Sequence, residues 1–310
     1  MADAALACGA VAEPARGLWN PLKTVSIAVP VAYTAAFFLV PLAFFVVLGF
    51  WRVQDYQIVP GFSLENYRDI AGHILSQSNY GIAIVQSFYV SATTALCAVA
   101  FCYPLVLAIV YTVPGRLQRL VLLFAVAPFW TSFILRVFAW QLLLARRGII
   151  NTAAASLGWD WMEQGWLNTQ VATRIGLVHY LAPVLVIILY VSVSSIDRTL
   201  IEAARELGAS RLQAFRRVIW PLSRVGITVS LSFATIIGFG DVLSGSLLGG
   251  GAGRSIVGAV PLFSNMIMSD YASSTNLPRT CALAMILVLI LACILVAGLR
   301  AAERAQRAVA

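Results

Sequence analysis

Charged side chains are scarce in this sequence. Of its 310 residues only 11% are charged and 60% are hydrophobic, whereas about a quarter of the residues in an ordinary soluble domain are charged. This shortage excludes a soluble globular domain. Long apolar runs take the place of the missing charges, and they favour several membrane-spanning helices.

Lysine is almost absent, because Lys23 is the only one in the chain. A phosphate-binding loop needs a lysine directly after a glycine-rich turn, and no such turn surrounds residues 20–24. The chain is therefore not expected to hydrolyse ATP by itself. The net charge of +8 comes from arginine, which in a membrane protein indicates loops facing anionic lipid and not a nucleic acid partner.

Clusters of histidine, cysteine and carboxylate residues are also lacking. The two histidines, His73 and His179, are isolated from each other, and the five cysteines show no metal-ligand spacing. Intramembrane enzymes need such clusters for their chemistry. We therefore expect no catalytic residue, no metal ligand and no cofactor in this chain.

Six stretches are apolar over at least the roughly 20 residues that a spanning helix requires. They cover residues 25–50, 83–113, 117–144, 173–193, 225–248 and 280–299, and the fifth is expected to be interrupted around residues 238–241. The sequence thus predicts an all-α polytopic membrane protein with six transmembrane helices. One transmembrane domain, 25–299, is flanked by polar tails at 1–24 and 300–310.

Basic residues are distributed unevenly between the two sides of this topology. Thirteen lie in the tails or in and directly beside the loops on the side of the tails, and seven lie in or directly beside the segments of about 51–82, 145–172 and 250–279. Because basic residues are enriched in cytoplasmic loops, both termini are expected in the cytoplasm.

The longest loop on the predicted cytoplasmic side, 195–224, has the pattern of two short helices. Asp197 can cap the first helix, Arg198 can pair with Glu202 one turn later, and Gly208 can end the helix in a left-handed conformation. Its apolar face is formed by Ile201, Ala204 and Leu207.

The second predicted helix of the loop begins at Ser210 as its cap and ends at Pro221. Two interpretations of the loop are open on physical grounds. The first helix can dock into a groove of another protein, or the loop can lie on lipid headgroups as an amphipathic segment.

The loop resembles the EAA loop of ABC importer permeases. That pattern is Glu-Ala-Ala, three residues, Gly, nine residues, an apolar residue, one residue and Leu-Pro, and the stretch 202–221 follows it with Trp220 where leucine is usual. The resemblance implies that the loop forms a coupling helix seated in an ATPase subunit. The residues expected to take part are Glu202, Ala203, Ala204, Leu207, Gly208, Arg211, Phe215 and Pro221.

Residues 128–136, with Gly148 and Asn151 after them, and residues 240–241 with 247–250 are similar to permeases of the spermidine/putrescine importer group. This resemblance implies the type I importer permease fold and a location in the bacterial inner membrane. It implies a second permease subunit, homologous or identical, two ATPase subunits that bind ATP and Mg, and an extracytoplasmic solute-binding protein. The implied solute is a polyamine or a related small organic molecule.

Arg136 lies deep in the third apolar stretch, where an arginine costs about 2.5–3.5 kcal/mol on insertion scales. It should therefore face the bundle interior, either lining a path or paired with a carboxylate, and Asp241 is the candidate partner. The positive charge of Arg136 suits an anionic or zwitterionic solute better than a polycation. The residues expected along the path are Trp130, Thr131, Ser132, Arg136, Trp140 and Asp241.

The main alternative to an ABC importer permease is an ion- or proton-coupled carrier that works without an ATPase. Such a carrier needs buried carboxylates along its path. Asp241 is the one residue of the sequence that qualifies.

Overall fold

The computed structural model describes residues 21–55, 57–75, 79–158, 166–250, 262–273 and 276–307. It divides into two compact units, the first ending at Val47 and the second beginning at Leu48. The outer parts of the two predicted tails, 1–20 and 308–310, lie outside the described residues.

Helices dominate the described chain. In chain order they are α1 Pro21–Gly49, α2 Glu65–Leu75, α3 Asn79–Tyr111, α4 Gly115–Val126, α5 Phe133–Leu144, α6 Ile149–Ser156, α7 Gln170–Ser194, α8 Arg198–Glu206, α9 Arg211–Ala214, α10 Trp220–Gly240, α11 Leu243–Leu247, α12 Phe263–Ser273 and α13 Leu277–Arg307. A 3₁₀ helix, Ala127–Trp130, follows α4, and a π-helical turn, Phe215–Ile219, joins α9 to α10. The expected all-α polytopic membrane fold is confirmed.

Within the described residues, five helices are long and apolar enough to cross a membrane. These are Val25–Gly49, Tyr80–Tyr111, Gln170–Ser194, Arg211–Gly240 and Leu277–Arg307. They match five of the six predicted spans. Residues 300–307, predicted as a tail, instead continue helix α13.

The third predicted span, 117–144, is wrong as a single helix. The chain bends by 87° between the helical segments Gly115–Trp130 and Phe133–Ser156. Pro128 at the start of the 3₁₀ helix has no backbone N–H, and Thr131 adopts an extended conformation with φ −81° and ψ 145°. The Oγ1 of Thr131 donates to the carbonyl of Pro128 at 2.7 Å, so a side chain satisfies one backbone oxygen that the break exposes.

The core of the second unit lies between α3, α7 and α10. Small residues let these helices approach closely, as is common in membrane bundles. Gly226 of α10, for example, lies against the side chain of Ser192 of α7. The buried apolar side chains at this centre include Ala95, Ala98, Cys102, Leu181, Leu185, Leu189 and Ala234.

A two-stranded antiparallel sheet follows α1 and was not predicted. Strand β1, Arg52–Gln54, pairs with β2, Gln57–Val59, and Arg52 stands opposite Val59. Asp55 in the turn has a φ of +48°, which Asp tolerates better than most residues. The sheet is short, so the all-α class stands.

Candidate functional site

Helix α8 begins as the sequence predicted. The Oδ1 of Asp197 accepts a hydrogen bond from the backbone N–H of Thr199 at 3.0 Å. This backbone donor lowers the pKa of the Asp197 carboxyl below its usual value. The predicted Arg198–Glu202 ion pair is wrong, because Nη2 of Arg198 instead donates to the carbonyl of Val110 at the end of α3, at 3.0 Å.

The end of α8 also follows the prediction. Gly208 has a φ of +83°, which is the left-handed conformation that a glycine after a helix supplies at no steric cost. The backbone N–H of Ala209 then donates to the carbonyl of Ala204 at 3.0 Å. This turn leaves the Leu207 side chain 90% exposed at the tip of the loop.

The second helix begins with a full capping box. Ser210 Oγ accepts from the backbone N–H of Gln213 at 3.3 Å, and the Gln213 side chain accepts from the backbone N–H of Ser210 at 2.8 Å. This helix was predicted to stop at Pro221, and that prediction is wrong. The π turn before Trp220 places Pro221 in the first turn of α10, where its missing N–H is tolerated, so the helix runs on to Gly240.

Aromatic side chains hold this helix against α3. The ring centroids of Tyr103 and Trp220 are 5.8 Å apart, and those of Phe215 and Trp220 are 6.2 Å apart. The hydroxyl of Tyr103 is hydrogen-bonded to Oγ of Ser223 at 2.7 Å in a buried position. The loop is therefore connected directly to the bundle core.

The predicted docking residues divide into two groups by exposure. Glu202, Ala203, Leu207, Gly208 and Arg211 are exposed, and Ala204, Phe215 and Pro221 are partly buried. The exposed group forms the tip of the loop, which we call the α8 tip. The other group joins this tip to the bundle.

The break in the predicted third span places three of the expected path residues at the surface of the described chain. Trp130, Thr131 and Ser132 are all exposed there, Trp130 by 71%. Ser132 precedes α5, which then carries Arg136 and Trp140 one turn apart.

Arg136 and Trp140 both pack against α7. The guanidinium carbon of Arg136 lies 5.7 Å from the ring centroid of Tyr180 and 6.0 Å from that of Phe133. The Nε1 of Trp140 donates to Nδ1 of His179 at 3.0 Å. We call these five residues the Arg136 cluster.

Sequence reasoning missed His179 and Tyr180 as neighbours of the two predicted path residues. Their contacts arise from the packing of α5 on α7, across about 40 residues of chain. The one available signal was the occurrence of two adjacent polar aromatic side chains in an otherwise apolar span.

Asp241 does not pair with Arg136, so that prediction is wrong. Its Oδ2 accepts from the backbone N–H of Ser244 at 2.8 Å, at the start of α11. Its backbone carbonyl accepts from Oγ of Ser264 at 2.6 Å. Helix α10 ends at Gly240, where the sequence predicted an interruption. The Asp241 side chain then caps the short helix α11, because its carboxyl oxygen accepts from a backbone N–H at the start of that helix.

The described residues contain no group of three or more His, Cys, Asp or Glu side chains that could hold a metal ion. The two features that remain are the exposed α8 tip and the Arg136 cluster.

Comparison with known proteins identifies the family. The family described as "Binding-protein-dependent transport system inner membrane component" matches residues 10–302. The chain is 27% identical over 292 residues to the spermidine/putrescine transport system permease protein PotB of Haemophilus influenzae, covering 94% of this chain and 97% of that protein. It is 28% identical over 228 residues to PotB of Escherichia coli, covering 73% and 81%.

Solved structures show the same fold. A bacterial ABC transporter involved in the import of the acidic polysaccharide alginate has a chain that matches with a TM-score of 0.68 at 18% identity, covering 92% of this chain and 95% of that one. A chain of the MetNI methionine ABC transporter matches with a TM-score of 0.53 at 18% identity, covering 72% and 94%. This chain therefore belongs to the family of inner membrane components of binding-protein-dependent transport systems, as a permease subunit of an ABC importer.

Proposed function

We propose that this chain forms half of a solute path and that a second permease subunit, homologous or identical, forms the other half. Two ATPase subunits, which bind ATP and Mg, grip the loop around α8, and an extracytoplasmic binding protein delivers the solute. Both termini of this chain are then cytoplasmic. The chain itself performs no catalysis.

The observation that carries this proposal is the exposed tip of α8. A leucine side chain that is 90% exposed gains roughly 1.5–3 kcal/mol when a partner covers it fully. Ala203 beside it is small and exposed, so the wall of a groove can approach the helix closely. The charged residues Glu202 and Arg211 flank these positions and can fix the orientation of a docked partner.

The charges of α8 favour a protein partner over a lipid surface. Helices that lie on membranes carry Lys and Arg on their polar face and are attracted to anionic headgroups. Helix α8 carries Glu202 and Glu206 beside Arg198 and Arg205, and Arg198 is engaged with the Val110 carbonyl. The two glutamates offset the two arginines of α8, so this helix lacks the basic excess that attracts a segment to anionic lipid.

The solute that we propose is a small organic amine. The relatives named above are spermidine/putrescine permeases, matching over nearly the full length of the chain in one case. The path residues that we propose are Trp130, Thr131, Ser132, Arg136 and Trp140, which lie at and after the break between α4 and α5. Asp241 contributes by fixing the end of α10.

Charge reversal at the tip tests the docking proposal. In the purified importer, Glu202→Lys should abolish the ATPase stimulation caused by loaded binding protein and should weaken co-purification of the ATPase subunits, because it reverses one of the flanking charges. Glu303→Lys is the matched control, since Glu303 is also an exposed glutamate and lies outside the loop, in the last turns of α13. Unchanged stimulation and co-purification in Glu202→Lys would contradict the proposal.

A further inference from the structure

Arg136 is a buried cation. It is only 9% exposed, and its guanidinium lies to one side of the rings of Phe133 and Tyr180, whose centroids are 4.2 Å apart. Aromatic faces attract a cation, but they accept no strong hydrogen bond from its N–H groups. The charge is thus positioned without being neutralised.

No described residue accepts a hydrogen bond from the Arg136 side chain. Its Nε and Nη1 atoms are buried and unpaired among the described residues. Among the described residues, the carboxylates that form ion pairs are Glu65 and Asp69, and their partners are Arg52, His73 and Arg279. A buried unpaired donor costs about 1–3 kcal/mol, and more when it is charged, so this site needs an acceptor that the described chain does not supply.

His179 adds a second donor beside Arg136. An indole N–H can only donate, so the Trp140 bond fixes Nδ1 of His179 as an acceptor and leaves the ring proton on Nε2. No described residue pairs with that Nε2 proton. Because His179 and Tyr180 are adjacent on α7, and Arg136 and Trp140 are one turn apart on α5, both donors lie along one α5–α7 contact.

We infer that the Arg136 cluster binds a carboxylate of the transported solute. This inference rests on the proposed function and narrows the solute to an organic molecule with an acidic group, such as an amine that also carries a carboxylate. Arginine is well suited to a carboxylate, since its planar N–H groups match the two oxygens. Arg136 is buried, which limits the screening of its charge by water and strengthens the interaction.

Binding to the purified importer tests this inference with probes of one chain length. The probes are putrescine, 4-aminobutanoate and butanedioate, which carry zero, one and two carboxylates on four carbons. Each is added at millimolar concentration to the whole importer without binding protein, and its dissociation constant is obtained from the rise in the unfolding temperature. The carboxylate probes should stabilise the native importer more than putrescine does.

Arg136→Gln should weaken the binding of the carboxylate probes by about 10-fold to 100-fold, the range expected for losing hydrogen bonds between charged groups. It should leave putrescine binding unchanged. Arg147→Gln, at an exposed arginine outside the cluster, is the matched control and should behave as the native importer. Arg136→Lys keeps the charge but loses the planar geometry, so its affinity for the carboxylate probes should fall between that of the native importer and that of Arg136→Gln.

Several results would overturn the inference. These are equal stabilisation by all three probes, stabilisation by putrescine alone, no stabilisation by either carboxylate probe, or carboxylate binding that survives in Arg136→Gln. Loss of stability in Arg136→Gln without any probe dependence would assign the guanidinium to a lipid phosphate or to a carboxylate of the partner permease. If the Arg136→Gln importer does not accumulate in cells, the inference is tested by comparing the binding of the three probes to the native importer and to Arg136→Lys.

The failure of this inference is distinguishable from failure of the proposed function. ATP-driven uptake that depends on the α8 tip, measured with Glu202→Lys, does not involve the Arg136 cluster. Normal coupling with no carboxylate preference would overturn the inference alone.

Discussion

The turn at Gly208 offers a sharp test of the loop geometry. A Cβ atom added at Gly208 would meet no other atom within 4 Å, so a substitution there changes only the backbone preference. The φ of +83° costs a residue with a side chain about 1–2 kcal/mol. That penalty corresponds to roughly a factor of 5 to 30 in the equilibrium between turn geometries.

We therefore expect Gly208→Val to reduce co-purification of the ATPase subunits and binding-protein-stimulated ATPase activity by about that factor, since the turn orients Leu207 and the start of the second helix. Gly208→Asn should retain most of the activity, because asparagine tolerates the left-handed conformation better than valine.

Gly158 provides a matched control for the substitution. It has a φ of +76°, and a Cβ there would also meet nothing within 4 Å, but it lies after α6 and away from the loop. Gly158→Val carries the same backbone strain and should leave ATPase coupling intact. Equal coupling in Gly208→Val and Gly158→Val would refute the claim that the turn geometry matters for docking.

Three further predictions concern the loop and the bundle. Tyr103→Phe removes the buried 2.7 Å hydrogen bond to Ser223 and should lower the free energy of unfolding by about 0.5–1.5 kcal/mol, measured by thermal unfolding of the purified importer. Gly226→Leu would overlap the Ser192 side chain and should destabilise by about 1–3 kcal/mol; a double-mutant cycle with Ser192→Gly should show partial rescue, and simple additivity would contradict the close packing. The lowered pKa of Asp197 means that its cap is present above the unfolded pKa of about 3.9 and is lost as the pH falls through the folded value, so amide-exchange protection in the first turn of α8 should fall in acid, but not in Asp197→Asn, whose cap does not titrate.

The local features of the coupling loop were predictable from sequence. Asp197, Gly208 and Ser210 act through residues at most a few positions away, and the structure confirms all three as caps or as the left-handed turn. Short-range hydrogen bonds of this kind depend little on the rest of the fold.

The errors arose where distant packing decided the outcome. Arg198 had a possible partner in Glu202 on its own helix, but the end of α3 supplied the Val110 carbonyl instead. Two prolines were interpreted wrongly. Pro128 lies beside a break in a span that was predicted to be one continuous helix, and Pro221 lies in a helix that was predicted to stop there. A proline removes a donor, and only the surrounding structure determines whether the freed acceptor is satisfied by a bend, a side chain or a π turn.

The Arg136 cluster could be predicted only in part. The cost of burying an arginine pointed to Arg136 itself, but its aromatic neighbours on α7 depend on the bend between α4 and α5. Asp241 was the available carboxylate in sequence, and the backbone of α11 took up its charge instead.

Site-directed cross-linking tests the central claim most directly. In an importer whose native cysteines have been replaced, a cysteine at Leu207, the exposed tip residue, should cross-link to an ATPase subunit and should resist reagents added outside intact cells. A cysteine at the exposed Leu157, next to α6, should react with those reagents and give no such cross-link. Labelling of position 207 from outside, or no cross-link to the ATPase subunit in the assembled importer, would contradict the account.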